Sequence, residues 1–298
     1  MTGFVEKKNG ALLYTVPAAY DGARALVVLR SGMGLSYSSV VTLRHTEGGL
    51  TANGRFCRTV DALRAGDRLE IRLPEPEPER LPDYDGGETA VRVFSDGWAA
   101  VYEKPPRMPS HPSHHHQSDT LANVFQADYP GLPFRAVGRL DADTSGLILL
   151  ALDGYGAFWL PPRVRKTYLA VCCGQLPWRE GVIDAPLLPL EKSDGRNRVS
   201  GDGLPARTKV RVLAERNGLT LAECELETGR THQIRAHMAH MGCPLAGDAR
   251  YGGDTGLLDR QALHCARLRF PEPDGTERDI RSAAPFLERL GFGGEDWV

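Results

Sequence analysis

Apolar residues fall in short runs closed by turn formers, a pattern that predicts strands more often than helices. Near the N-terminus, residues 50–52, 55–60 and 68–73 read as strands, with Asn53-Gly54 as a hairpin turn. Helical spacing is found over 21–31 and 36–47, the second opened by Ser36 as N-cap and stopped by Gly48-Gly49. Further on, 90–94 and 98–102 flank Ser95-Asp96-Gly97, and 206–213 and 219–226 flank Asn217-Gly218. Residues 147–151 (LILLA) and 167–173 (TYLAVCC) read as buried strands. One helix is expected over 231–241, capped by Thr231, ended by Gly242 and kept from continuing by Pro244. Tight strand-to-strand links favour an α+β fold with a mostly antiparallel mixed sheet over a doubly wound parallel one.

Residues 74–88 (PEPEPERLPDYDGGE) interrupt this pattern. Alternating prolines favour extended geometry and the acids repel, so the segment reads as a linker. It divides a small module, residues 1–73, from a larger domain, residues 89–298, as suits a 298-residue chain. The chain carries a net charge of −2, unevenly spread. The small module has ten Lys and Arg against six acids, and the linker one Arg against six acids. No apolar run approaches the roughly 20 residues of a membrane span. The N-terminal MTGFVEKKNG lacks a signal-peptide pattern, so a cytoplasmic location is expected. Six cysteines form no C-x-x-C pair and read as structural thiols. His114-His115-His116 with His111 reads as a solvated loop, and no metal site is expected.

Three segments carry candidate chemistry: Gly138-Arg139-Leu140-Asp141-Ala142-Asp143-Thr144-Ser145-Gly146, Arg165-Lys166-Thr167-Tyr168-Leu169-Ala170, and Glu227-Thr228-Gly229-Arg230-Thr231-His232-Gln233-Ile234-Arg235-Ala236-His237. Singly, each has an ordinary explanation as turn former, half-buried strand residue or helix cation. In this order they resemble the RluA-like pseudouridine synthases of the ribosomal large-subunit type. The resemblance extends to Val101-Tyr102-Glu103-Lys104-Pro105, Ser110-His111-Pro112, Pro205-Ala206-Arg207-Thr208, and the stretch from Pro244 through Gly247-Asp248 to Tyr251-Gly252. It implies an RNA isomerase. Asp141 matches the nucleophilic aspartate, Tyr168 the tyrosine that packs on the target base, and Arg235 the arginine paired with the aspartate. Arg139 matches a residue implicated in displacing the nucleotide from its stack.

The implied reaction breaks the N-glycosidic bond, turns the uracil and rejoins it through carbon 5. It needs an ionised carboxylate, a cation to keep it so, and a closed aromatic pocket. The base must first leave the RNA stack. No redox or group transfer occurs, so no cofactor is expected. Three departures stand out: Gly138 where RluA-like members usually carry His, Arg107 where Lys-Pro-x-Gly has glycine, and a shortened 151–166 segment.

Residues 35–73 resemble the small RNA-binding fold of a small-subunit ribosomal protein and tyrosyl-tRNA synthetases, through Leu35-Ser36, Glu47-Gly48-Gly49, Asn53-Gly54 and Ala65-Gly66-Asp67. Arg30, Arg44, Arg55 and Arg58 are its candidate phosphate contacts. In the larger domain the cation-rich run 192–216 reads as an RNA-facing loop and hairpin. Candidate contacts are Arg196, Arg198, Arg207, Arg230, His232 and Gln233. The expected partner is structured RNA, ribosomal RNA favoured and transfer RNA the alternative, with monomer as the default state. Competing readings are a non-catalytic RNA-binding or ribosome-assembly protein, an RNA methyltransferase and a glycosidase. The last two lack a G-x-G-x-x-G loop and a marked second carboxylate, respectively.

Overall fold

The computed structural model describes residues 4–190 and 195–293, so Lys192 and Asp194 of the cation-rich run lie outside the described residues. The small module is an antiparallel sheet of β1 (Val5–Lys8), β2 (Ala11–Thr15), β3 (Leu50–Ala52), β4 (Arg55–Phe56) and β5 (Arg68–Ile71), in the order β1-β2-β5-β3-β4. Against it pack α1 (Ala25–Val27), which continues as a wider helical turn to Gly32, and α2 (Tyr37–His45). The Ser36 side chain accepts the Ser39 N–H at 2.9 Å, as an N-cap should. Asn53 and Gly54 take positive φ values of 51° and 74°. Asn9-Gly10 forms the same kind of turn, at 49° and 74°, between β1 and β2, a hairpin not anticipated above. The strand expected over 55–60 is only two residues long, because Arg58 turns the chain by donating its N–H to Asp61 at 2.7 Å.

The larger unit is one nine-stranded sheet, in the order β10-β13-β14-β9-β15-β8-β7-β6, with β16 also on β15. Its strands are β6 (Val91–Ser95), β7 (Ala99–Lys104), β8 (Ser145–Ala151), β9 (Arg165–Cys173), β10 (Glu180–Asp184), β13 (Arg207–Arg216), β14 (Leu219–Leu226), β15 (Leu263–Pro271) and β16 (Glu277–Arg281). A separate hairpin pairs β11 (Leu187–Pro189) with β12 (Asn197–Val199). Helices α3 (Leu121–Asp128), α4 (Gly154–Trp159) and α5 (Gln233–His240) complete it. All pairings are antiparallel except β8 with β15, so the expected mostly antiparallel mixed sheet is observed. The shortened segment between β8 and β9 retains α4, capped by Asp153, whose carboxylate accepts the Gly156 N–H at 2.6 Å.

Residues 74–88 are fastened to the larger unit despite their lack of regular structure. Glu75 pairs with Arg135, Gln126 exchanges hydrogen bonds with the Leu81 backbone at 2.7 and 2.9 Å, and Asn123 donates to the Pro82 carbonyl at 2.8 Å. The two units also meet directly. Tyr155 donates to the Met33 carbonyl at 2.7 Å in a buried contact, Lys7 pairs with Asp153 at 2.8 Å, and one apolar core runs through both. Among the described residues no helix is long and apolar enough to cross a membrane.

Candidate active site

The loop between residues 137 and 144 enters β8 and carries Asp141. Its carbonyl oxygens are held by side-chain donors from four directions. Lys166 Nζ donates to Val137 O at 2.5 Å, Ser110 Oγ to Leu140 O at 3.1 Å, Lys104 Nζ to Ala142 O at 2.8 Å, and Arg260 Nη1 to Asp143 O at 3.2 Å. Lys104 is fully buried and also donates to the carbonyls of Pro105 and Met108, each at 2.8 Å. Burial pulls its ammonium down to about 7, against the opposing pull of Asp143 and Asp141. The turn that Lys104 ties together includes Arg107, at φ 63°. The motif's glycine position is therefore a left-handed one, here occupied by a strained side chain that pairs with Asp259. Gly138 also needs its glycine: φ is 86°, and a Cβ there would run into the Lys166 ammonium.

Asp141 Oδ2 accepts from Arg235 Nη1 at 3.2 Å and lies 3.7 Å from His232 Nε2. Arg235 projects from α5, only 4 % exposed, and grips the fully buried Asp248 through Nε at 2.6 Å and Nη2 at 2.8 Å. Burial opposes the guanidinium charge, but Asp248 and then Asp141 outweigh it and hold the proton more tightly than usual. Tyr168 on β9 is buried beside them. Burial first, then Cys265 and Asp141, push its phenol well above the usual range, so it faces the cavity as a neutral ring. His232 is held below its usual value by burial, against the pull of Asp141, and is neutral near pH 7.

The start of α5 differs from expectation. His232, not Thr231, is the N-cap residue, in left-handed backbone geometry (φ 53°) and without a side-chain cap. Gln233 does the tying instead: its Oε1 accepts from Arg230 N at 3.0 Å and Thr228 Oγ1 at 2.8 Å, and its Nε2 donates to Arg207 O and Thr208 Oγ1, each at 3.0 Å. Gln233 is thus buried and ties the start of α5 through four internal hydrogen bonds.

Asp141, Tyr168, Arg235 and His232 line one small cavity of about 50 Å³, closed by Leu140, Leu226 and Leu263. Exposed Arg139 stands at its rim. A groove of about 720 Å³ opens on one side past His111, Lys166 and Arg230, and one of about 310 Å³ on the other past Arg250 and Arg260. Nearby, Arg198 is exposed on β12, while Arg196 donates to the Arg250 carbonyl at 3.1 Å. Arg207 is already engaged by Asp184 at 3.3 Å and Glu227 at 3.0 Å. In the small module Arg30, Arg44 and Arg55 are exposed, whereas Arg58 pairs with Asp61 at 3.0 Å. Asp248, Arg260 and Tyr251 were not singled out from sequence. For Asp248 and Tyr251 the signal was the 244–252 match, whose chemistry needs the fold to be seen; Arg260 lies outside every matched string.

A carboxylate in a clamped loop is thus paired to a helix arginine beside a buried tyrosine on a mixed sheet. The RNA pseudouridylate synthase family model matches residues 99–240. The chain belongs to the RNA pseudouridine synthase family. It is 38% identical over 236 residues to an uncharacterized RNA pseudouridine synthase of Bacillus subtilis, YhcT, covering 75% of this chain and 77% of that protein. It is 35% identical over 289 residues to ribosomal large subunit pseudouridine synthase D of Neisseria meningitidis serogroup A, covering 88% and 76%. Among solved structures, human RNA pseudouridylate synthase domain containing 1 superposes with a TM-score of 0.56 at 26% identity, covering 69% of this chain and 89% of that one. The protein is accordingly an RNA pseudouridine synthase, an isomerase.

Proposed function

We propose that this synthase isomerises a uridine of large-subunit ribosomal RNA, with Asp141 as the reacting carboxylate. The ribosomal substrate is carried over from the relatives named for it. The observation that carries the residue assignment is the meeting of Asp141, Arg235 and Tyr168 around one small cavity. The Asp141 carboxylate, hydrogen-bonded by Arg235, attacks the anomeric carbon or removes a sugar proton as the N1–C1′ bond breaks. The freed uracil turns against the Tyr168 ring, which gives it an apolar face to rest on. Carbon 5 then bonds to C1′ as the Asp141–C1′ bond breaks, or as the proton taken from the sugar returns to it; the C5 proton leaves and N1 ends protonated, so atoms balance without a cofactor. Arg139, exposed at the rim, takes the place vacated when the nucleotide leaves its stack. Arg198 and Arg230 meet flanking phosphates, and the basic small module, through Arg30, Arg44 and Arg55, adds RNA affinity.

The test is tritium release from carbon 5 of uridine in an unmodified large-subunit ribosomal RNA transcript. Asp141→Ala and Asp141→Asn should each abolish release, since the amide keeps the shape without the charge. Release equal to wild type from either variant would overturn the assignment of Asp141, whereas absence of release from the wild type would favour a binding protein that keeps the fold.

A further inference from the structure

Behind the Asp141 loop runs a chain of hydrogen bonds that the reaction as described does not use. Arg260 Nη2 lies 3.3 Å from Ser145 Oγ, Ser145 Oγ 2.9 Å from His264 Nδ1, His264 Nε2 3.0 Å from Ser282 Oγ, and Ser282 Oγ 2.6 Å from Glu103 Oε1. Ser145, His264 and Ser282 are all buried, and His264 faces Ser145 where β8 and β15 run parallel. The two ends of the chain fix its direction, because a guanidinium only donates and a carboxylate only accepts. Ser282 gives its proton to Glu103 and has lone pairs left for His264, so Nε2 carries the imidazole proton. Nδ1 is then an acceptor and takes the Ser145 proton, which leaves Ser145 Oγ to receive Arg260. Burial, then Arg260, push the His264 ring down to about 3, so no second ring proton disturbs this order near neutral pH.

Arg260 is where the chain meets the Asp141 loop. It is half-buried, and among the described residues no carboxylate pairs with it. Its acceptors are the Asp143 and Gln261 carbonyls, each at 3.2 Å, and Ser145 Oγ, with the guanidinium 5.4 Å over the Phe286 ring. Neutral oxygens therefore set its plane, and the His264 ring removes the one hydroxyl proton that could face it. Ser145 is 3 % exposed and lines neither the Asp141 cavity nor the two grooves beside it, so the Ser145–His264 pair is internal and not a nucleophile with its base.

We propose that His264 is a positioning residue for the isomerisation: by taking the Ser145 proton on Nδ1 it keeps Ser145 Oγ an acceptor for Arg260, and Arg260 holds the Asp143 carbonyl and with it the end of the Asp141 loop. Glu103 on β7 and Ser282 just after β16 set the tautomer of the ring. The inference rests on the reading of Asp141 as the reacting group.

Two variants of the full-length enzyme, assayed on the tritiated transcript, separate the acceptor of the ring from its bulk. His264→Asn can set Oδ1 where Nδ1 lies and still accept from Ser145. His264→Gln can set its amide nitrogen where Nε2 lies and still donate to Ser282, but it offers Ser145 no acceptor. Misplacement of about 1 Å in a reacting constellation costs up to about 100-fold, so His264→Gln should lower kcat by at least about 10-fold with KM changed less than about two-fold, and His264→Asn should keep at least about three times the kcat of His264→Gln. A role in packing alone gives the opposite order, because glutamine leaves the smaller void. Wild-type kcat in folded His264→Gln, or a kcat in folded His264→Asn no higher than in His264→Gln, would overturn the proposal. Proton–nitrogen correlation spectra of the wild-type enzyme read the tautomer itself. The Nε2–H form is expected at neutral pH, the Nδ1–H form overturns the proposal, and this result decides alone should neither variant fold. Activity of Asp141→Asn would defeat the underlying reading instead, and would leave the tautomer result standing.

Discussion

Gln233→Leu separates a strut from an RNA contact. Gln233 makes four hydrogen bonds at 2.8–3.0 Å, and its residue is 2 % exposed. Leucine removes all four and leaves the Arg230 N–H without its acceptor, while the Arg207 carbonyl keeps the Glu227 N–H at 3.1 Å. At about 1 kcal/mol net per bond the loss is about 4 kcal/mol, of which better burial of leucine returns about 1, leaving a destabilisation of about 3 kcal/mol. Gln233→Glu keeps the accepting half and replaces the donating half, setting a carboxylate against the Arg207 carbonyl. It should cost at least half as much. Urea denaturation followed by two probes gives the stability, and filter binding of the natively folded fraction gives RNA affinity. The expected result is a large loss of stability, native affinity within about two-fold, and a fall in kcat as the α5 start shifts Arg235. A stability change under about 1 kcal/mol together with a several-fold loss of affinity would refute the strut and restore the RNA contact.

Lys104 yields a pH prediction. Its folded value of about 7 lies below the usual 10.5, so between these the unfolded chain holds the extra proton and stability from this group rises with pH. The urea-melt stability of wild type minus that of Lys104→Met should widen between about pH 7 and about pH 9, by at most about 1.4 kcal/mol per unit; a constant difference refutes it. Gly146 has φ 107°, and a Cβ would strike the Cys265 carbonyl and come within 2.7 Å of its nitrogen, where β8 and β15 run parallel. Gly146→Ala should cost at least about 3 kcal/mol by denaturation, and a cost under about 1 would refute the close approach. For the small module, Arg44→Gln with Arg55→Gln should flatten the slope of log K against log salt by roughly 1.5, at about 0.7–0.9 per phosphate; an unchanged slope would remove both from the RNA surface.

Much of the fold was legible where local chemistry dictates it. Asn53-Gly54 and Asn217-Gly218 form the turns their left-handed preference demands, and Ser36 caps its helix. The β1–β2 hairpin carried the same Asn9-Gly10 signal and was passed over. Strand β15 escaped because Arg267 and Arg269 interrupt its apolar residues, and β16 because it holds a single apolar residue, Ile280; only pairing with neighbouring strands makes either a face. The Thr231 cap was misread because the loop before α5 is closed by Gln233, a residue whose partners lie 25 and 26 positions away. The acidic linker proved fastened because Arg135, Asn123 and Gln126 meet it from a distant part of the chain.

The sequence by itself determined the residue types of the candidate site: a loop aspartate, a strand tyrosine and a helix arginine, in strings whose order carries the family. Tertiary structure decided how those groups relate. Asp141 and Arg235 are 94 positions apart, and their meeting depends on a sheet whose central strands are contributed from both ends of the larger unit. It also decided what each polar residue is for. Gln233 and Arg235 differ little as letters in one motif, yet one is consumed by four internal bonds and the other bridges Asp248 and Asp141 at the cavity. The physical reason is that a buried polar atom must find its partners in space, and the linear pattern does not say which atoms will be there.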